Sequence, residues 1–176
     1  MKTEHRYPKS CKLESVLGMG LPVAFIVIFL LVPATAWPWT GKVIRVIDGD
    51  SLVASHSGRA VEIRLFGIDC PEWEQAFSRK AREYTARMLL RERVDVQPLD
   101  VDRYGRIVAV VSTDGKSVNE ALVRAGLAWV HPKCLADFPL CNRWREIQEK
   151  VQAAGSGLWR SSHPIPPWEW KQKKRR

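Results

Sequence analysis

Residues 42–66 constrain this chain more than any other stretch. Lys42–Ile47 places Val43, Ile44, Val46 and Ile47 among polar neighbours, and Asp48-Gly49-Asp50 follows as a turn signal. Ser51–Ser55 is a second short run. His56-Ser57-Gly58-Arg59 makes a second turn, and Ala60–Phe66 a third apolar run. Three short strands joined by tight turns are a meander. Two further strands are expected at Arg93–Pro98 and Ile107–Ser112, separated by Leu99–Gly105.

Helices fill the gaps. Glu74–Leu90 carries Phe77, Ala81, Tyr84 and Met88 at helical spacing, with Arg79, Lys80, Arg82, Glu83 and Arg87 on the opposite face. Ser117 with Glu120 three residues on is a capping box, and Gly126 is a stop. A third helix is expected over Asn142–Ala154, with Trp144, Ile147 and Val151 on one face. Five short strands with a helix after the third predict an α+β fold: a five-stranded OB-type barrel with three α-helices. Such barrels commonly bind oligonucleotides. The tail from Ser161 differs. His163-Pro164-Ile165-Pro166-Pro167 opposes helix or central strand, and Lys171–Arg176 is almost wholly basic. Three readings stand open for it: a solvated end, an acid-binding arm, or a clamp with Trp168 and Trp170 laid back on the domain.

The N-terminus reads as a processing segment. A basic start is followed by the uncharged run Val16–Val32 and by Ala34-Thr35-Ala36, an A-x-A site before Trp37. Residues 1–36 are therefore expected to be a signal peptide, residues 37–160 the folded domain and residues 161–176 the tail. An uncleaved anchor over residues 16–32 is the alternative, although Pro22 interrupts it. The chain carries a net charge of +9, and residues 37–176 keep 24 Lys/Arg against 17 Asp/Glu. A positive balance that survives removal of the signal points to an anionic partner. Export also favours a disulfide between Cys134 and Cys141, leaving Cys70 single.

Three segments carry chemistry. Asp50 opens the second strand and Asp69 follows the third, so neighbouring strands would bring both carboxylates to one rim. Oxygen-only ligation suits a hard cation such as Ca²⁺, and the absence of histidine from both segments disfavours zinc. Taken alone, Asp48-Gly49-Asp50 is simply a hairpin turn. Arg64 lies in an apolar strand, where a guanidinium needs an anion or an outward face. Arg106 follows Gly105 at the mouth of the fifth strand. Two arginines and a divalent ion would neutralise charge on a five-coordinate phosphorus. Glu72, after Cys70-Pro71, either activates a water or caps the helix behind it.

The order Asp48-Gly49-Asp50-Ser51, Arg64…Asp69-Cys70-Pro71-Glu72, Asp102-Arg103-Tyr104-Gly105-Arg106 and Val118–Ala128 resembles the staphylococcal nuclease (thermonuclease) family over about Gly41–Trp159. The resemblance implies Ca²⁺-dependent hydrolysis of DNA and RNA leaving 3′-phosphate ends. By position, Asp50 and Asp69 match metal carboxylates, and the Cys70 carbonyl matches a third protein ligand where the family has threonine. Asp48 matches a supporting acid that acts through water. Arg64, Glu72 and Arg106 match the catalytic trio, and Arg103 and Tyr104 match contacts to the nucleotide phosphate and sugar. The segment after Glu72 lacks the family's long lysine-bearing loop. Trp129-Val130-His131-Pro132 replaces a tyrosine-containing stretch, so Trp129 or His131 either stacks on a base or belongs to the core.

The expected function is an exported endonuclease of low sequence specificity, acting on DNA or RNA with one Ca²⁺ and no implied protein partner. Replacing Arg64 or Arg106 is expected to lower turnover and leave the fold standing. The rivals are an OB-fold module that grips nucleic acid without cutting, and an interaction protein tethered to a membrane by an uncleaved residue 16–32 segment.

Overall fold

A computed structural model describes residues 37–134 and 138–174. The expected signal or anchor therefore lies outside the described residues. Among those residues, no helix is long and apolar enough to cross a membrane.

The meander forms as the alternation requires. Strands β1 (Trp39–Val46), β2 (Ser51–His56) and β3 (Arg59–Leu65) pair antiparallel in sequence. β5 (Arg93–Val101) pairs with β1 and with β6 (Ile107–Thr113). β6 then pairs parallel with β3, which closes five strands into a barrel. Two short pairs complete the strands: β4 (Ile68–Asp69) with β8 (Trp129–Val130), and β7 (Lys116–Ser117) on β6. The OB-type α+β expectation is met.

Val43, Leu52, Ala54, Ile63, Leu65, Val94, Val96, Ala109 and Val111 fill the interior at 0–1 % exposure. Each large aliphatic among them stabilises the fold by about 1.5–3 kcal/mol. The alternation in β1 breaks once. Its register to β2 shifts between Val43 and Arg45, a bulge that leaves Ile44 and Arg45 both outward before Val46 returns to the core.

Helix α1 (Ser78–Leu89) lies over β1 and the first turn. It starts four residues later than its apolar spacing predicts, because Glu74 and Phe77 take positive φ (28° and 71°). Helix α2 (Val118–Arg124) has the predicted N-cap, with Ser117 Oγ accepting the Glu120 N–H at 3.3 Å. The Glu120 carboxylate does not reach back to complete the box. It pairs with Arg124 and with Arg143 of α3 (Pro139–Ala153), tying the two helices together. α3 begins before Asn142 because Pro139 supplies a pre-set first turn.

The described residues hold four α-helices rather than three. The additional one, α4 (Pro167–Lys174), arises in the tail. Pro167 obstructs a helix interior but suits the first helical position, where no N–H partner is needed. The tail is the clamp among the three readings. Trp168 lies 5.9 Å from Trp129 and 5.3 Å from His131, ring to ring. Cys134 and Cys141 are bonded, with Cα atoms 5.6 Å apart, and Cys70 is a free, buried thiol.

Candidate active site

The first turn delivers the acids. Asp48 Oδ1 accepts the Asp50 N–H at 3.0 Å, which shapes Asp48-Gly49-Asp50. Gly49 is required by space: a Cβ there would stand 2.7 Å from Cys70 Cβ and 2.8 Å from Ala81 Cβ. Thr85 of α1, fully buried, donates its hydroxyl to the Gly49 carbonyl at 2.6 Å. The helix thus presses the turn onto the Cys70 segment. The Leu65 N–H donates to the Asp50 carbonyl at 2.8 Å, fixing the start of β2 against the end of β3.

Asp69 reaches the same place by a tight reversal. Gly67 takes φ 70° between β3 and β4, and its carbonyl accepts the His131 N–H at 2.9 Å. A side chain there would meet Cys134 Sγ at 2.5 Å, so the turn packs directly on the disulfide. Register pairs Asp69 with Trp129 in the small β4–β8 sheet.

Arg64 lies on the outer face of β3, between the inward Ile63 and Leu65. Its fork bridges the two acids, one arm on Asp50 Oδ1 and the other 2.5 Å from Asp69 Oδ1. Asp50 Oδ2 also accepts the Cys70 N–H at 2.5 Å. Asp50 is 1 % exposed and Asp69 2 %. Burial pushes the Asp50 carboxyl up to about 8, with Asp48 and Asp69 adding to the rise and Arg64 and the Cys70 N–H opposing it. Burial disfavours the charged guanidinium, but Asp50 and Asp69 outweigh it and hold Arg64 protonated. Arg64, with Lys171 3.6 Å from Asp69, still leaves the Asp50 carboxyl raised beside its acidic neighbours, and a cation there would relieve that crowding. The Cys70 thiol is buried and its pKa is driven well up by desolvation, so that residue offers its backbone rather than a thiolate.

Glu72 does not cap a helix. α1 starts six residues later with Phe77 as its N-cap. Instead the Glu72 N–H donates to Gln75 Oε1 at 2.7 Å, and the side chain lines a cleft of about 520 Å³ shared with Asp48, Asp50, Trp73, Arg79 and Arg82. Trp73 is 81 % exposed beside it.

The β5–β6 turn forms a second, neighbouring group. Asp102 Oδ1 accepts the N–H groups of Tyr104 and Arg106 at 2.9 and 3.0 Å, and its Oδ2 accepts from Arg106 Nε at 2.7 Å. Desolvation works to raise Asp102 but is outweighed by these hydrogen bonds, so its carboxyl lies below the ordinary value. Tyr104 is exposed and flanked by two guanidiniums, Arg103 at 4.8 Å and Arg106 at 5.6 Å from its ring centre. Register pairs Arg64 with Val108. Arg106 stands two residues before Val108, just ahead of the start of β6. Asp50, Asp69, Arg64 and Cys70 are in direct contact, and Glu72 and Asp48 line the same cleft. Arg103, Tyr104 and Arg106 form their own cluster.

A hard cation fits this chemistry, although its side-chain ligands would be few. Among the described residues no set of three or more His, Cys, Asp or Glu side chains is grouped to hold a metal. Two buried carboxylates, the Cys70 carbonyl and water would have to suffice. The His131 ring packs edge-on against Trp168, and Trp129 is half-buried against Trp159 at 4.2 Å. Lys171 of α4 was not legible as a site residue. Its Nζ stands 2.7 Å from Glu72 Oε1 and 3.6 Å from Asp69 Oδ1. A basic run near a chain end carries no signal of where it docks.

Residues 62–161 match the family model described as staphylococcal nuclease homologue. The chain is 38 % identical over 135 residues to an uncharacterized endonuclease of Escherichia coli, covering 76 % of this chain and 86 % of that protein. It is 31 % identical over 170 residues to a micrococcal nuclease of Shigella flexneri, covering 91 % and 96 %. A third relative, a probable staphylococcal-like nuclease of Oryza sativa subsp. japonica, is 36 % identical over 64 % of this chain and 33 % of its own length. Closed barrel, paired acids bridged by an arginine and matches along most of the chain agree: this protein belongs to the staphylococcal nuclease family and is a nuclease.

Proposed function

We propose that the chain is an exported, Ca²⁺-dependent endonuclease that cuts DNA or RNA with low sequence specificity and leaves 3′-phosphate ends. The observation that carries this reading is the Arg64 fork across Asp50 and Asp69, with Glu72 in the adjoining cleft. Asp50, Asp69 and the Cys70 carbonyl would hold the ion, with Asp48 supporting it through water. When bound, a hard divalent ion supplies Lewis-acid charge to the phosphoryl oxygens. Glu72 takes a proton from the attacking water, whose oxygen bonds to phosphorus as the bond to the 5′-oxygen breaks. The departing 5′-oxygen takes up a proton from solvent, which yields a 5′-hydroxyl and a 3′-phosphate. Arg64 and Arg106 hold equatorial phosphate oxygens as negative charge builds. Arg103 and Tyr104 grip phosphate and sugar, contacts that position a strand without reading its sequence.

Export is supported by the A-x-A segment before Trp37 and by the Cys134–Cys141 bond, which suits an oxidising compartment. Plasmid digestion with Ca²⁺ and with chelator tests the activity. Cleavage that stops on chelation, with 3′-phosphate ends by end-labelling, is the expected result. Cleavage that survives chelation refutes the metal role, and tight binding without cleavage indicates a binding module. N-terminal sequencing of the exported protein should begin at Trp37. An intact N-terminus in the membrane fraction would refute release.

A further inference from the structure

The family match ends at residue 161, yet the chain beyond it returns to the candidate site. Helix α4 is held at several points. The Pro167 ring is buried, and Trp168 packs on Trp129 and His131. Gln75 Nε2 donates to the Ile165 carbonyl at 3.0 Å, and Lys174 pairs with Glu74. Two of these anchors are themselves coupled to the site. Trp129 is the β-partner of Asp69, and Gln75 also accepts the Glu72 N–H. The helix is therefore fastened to the backbone that carries both carboxylates.

One side chain of that helix enters the site. Lys171 Nζ lies 2.7 Å from Glu72 Oε1 and 3.6 Å from Asp69 Oδ1. Among the described residues Lys171 is the charged partner of the Glu72 carboxylate. Glu72 itself sits on an irregular segment, 34 % exposed, with a long side chain that is free to change rotamer unless something holds it. An ordinary surface lysine paired with an acid would mean little. Here both acids belong to the chemistry, and the lysine comes from a helix with its own aromatic anchor.

We propose that Lys171 is a positioning residue: the C-terminal helix supplies an ammonium that holds the Glu72 carboxylate beside Asp69, so that the hydrolytic site is complete only with the tail in place. This rests on the nuclease reading above. Orientation of a reacting group to within an ångström is worth large factors in rate, so release of Glu72 should lower kcat and leave substrate binding nearly intact.

The test uses the full chain with Lys171→Met, which keeps the aliphatic stem, and Lys171→Arg, which keeps the charge. Steady-state kinetics on a short single-stranded oligonucleotide at saturating Ca²⁺ should show kcat reduced roughly 10- to 100-fold in Lys171→Met. KM should stay within about threefold and Lys171→Arg should recover most of the rate, as expected when orientation rather than binding is lost. Calorimetric Ca²⁺ titration without substrate should give affinities for the two variants and the parent that agree within about threefold, because Lys171 is assigned to Glu72 rather than to the ion. Equal kcat in Lys171→Met and parent would overturn the proposal and leave a surface ion pair. Faster cleavage, or Ca²⁺ affinity more than about tenfold tighter in Lys171→Met, would overturn it in favour of a tail that competes with the ion. An inactive parent would sink the nuclease reading and this one with it, whereas an active parent with an unaffected variant sinks this one alone.

Discussion

Replacing Arg64 should weaken the fold as well as the chemistry, and a bound ion should narrow the loss only as far as it binds the variant more tightly. The Arg64→Met variant keeps the side-chain volume and removes the guanidinium. Asp50 and Asp69, both nearly buried, would then face each other and Asp48 with only Lys171, 3.6 Å from Asp69, as counter-charge. Breaking a buried pair by removing one partner costs about 3–5 kcal/mol. Arg64 is 18 % exposed, and Asp50 keeps the Cys70 N–H and the Ser51 hydroxyl, so about 3 kcal/mol is the better expectation. At about 3 °C per kcal/mol for a chain of this size, Tm should fall by roughly 9 °C in chelator. Ca²⁺ at about 100 times its Kd returns about 2.7 kcal/mol to a protein that still binds it. The parent gains the same amount at equal affinity, so the deficit narrows only as loss of the Arg64 charge tightens the ion, by about 1.4 kcal/mol for each tenfold in affinity. Arg106→Ala is the control. That side chain pairs with Asp102 near the surface, so its loss should cost about 0–1 kcal/mol. Both variants should lose turnover by about 10²–10³. Calorimetric scans of the three proteins with and without chelator decide the matter. An Arg64→Met protein as stable as the parent in chelator would refute the claim that the guanidinium neutralises the buried acids. Both variants are expected to fold, with Arg64→Met the less stable of the two.

Other outcomes follow from neighbouring contacts. Asn119, fully buried, accepts the Val111 N–H at 3.1 Å and donates to the Phe66 carbonyl at 2.9 Å. Asn119→Ala should cost about 2–4 kcal/mol by urea unfolding, and a change below about 1 kcal/mol would show that neither group is stranded. Replacing Cys134 and Cys141 together by alanine opens a loop of sequence separation 7 and should lower stability by about 2 kcal/mol, read from the urea midpoint. An unchanged midpoint would mean the bridge constrains nothing. Desolvation lowers the pKa of His131, helped by Arg64, Lys133 and Lys171 and opposed by Asp69. Its imidazole resonance should therefore titrate below the ordinary value of about 6.5. The unfolded chain binds that proton more readily, so this contribution to stability is full above about pH 6.5 and fades as pH falls through the folded pKa. A His131 titration at or above 6.5 would refute the packing argument.

Much of the architecture was readable because short-range rules govern it. Period-two apolar runs gave β2, β3, β5 and β6 nearly at their observed bounds, and Ser117 capped its helix as an N-cap serine should. Departures occur where a neighbour overrides the local preference. In β1 strict alternation would carry Arg45 inward and Val46 outward, yet the bulge leaves Arg45 outside and returns Val46 to the core. Phe77 fits the apolar stripe of a helix but adopts φ 71° ahead of it. The prolines at 164, 166 and 167 read as helix breakers, and the last of them starts a helix.

The sequence by itself determined which groups are available: two strand-end aspartates, an arginine between inward-facing neighbours, a glutamate beyond a proline, and a cysteine pair close enough to join. It did so because alternation and turn chemistry act over a few residues. Tertiary structure alone decided that Arg64 spans both aspartates, that Thr85 and Asn119 pin the turns behind them, and that Lys171 comes to rest on Glu72. Apart from Arg64–Asp69, five positions apart, those contacts join residues 14 to about 100 positions apart. They depend on barrel closure and on aromatic packing around Trp129 and Trp168, which no local pattern encodes.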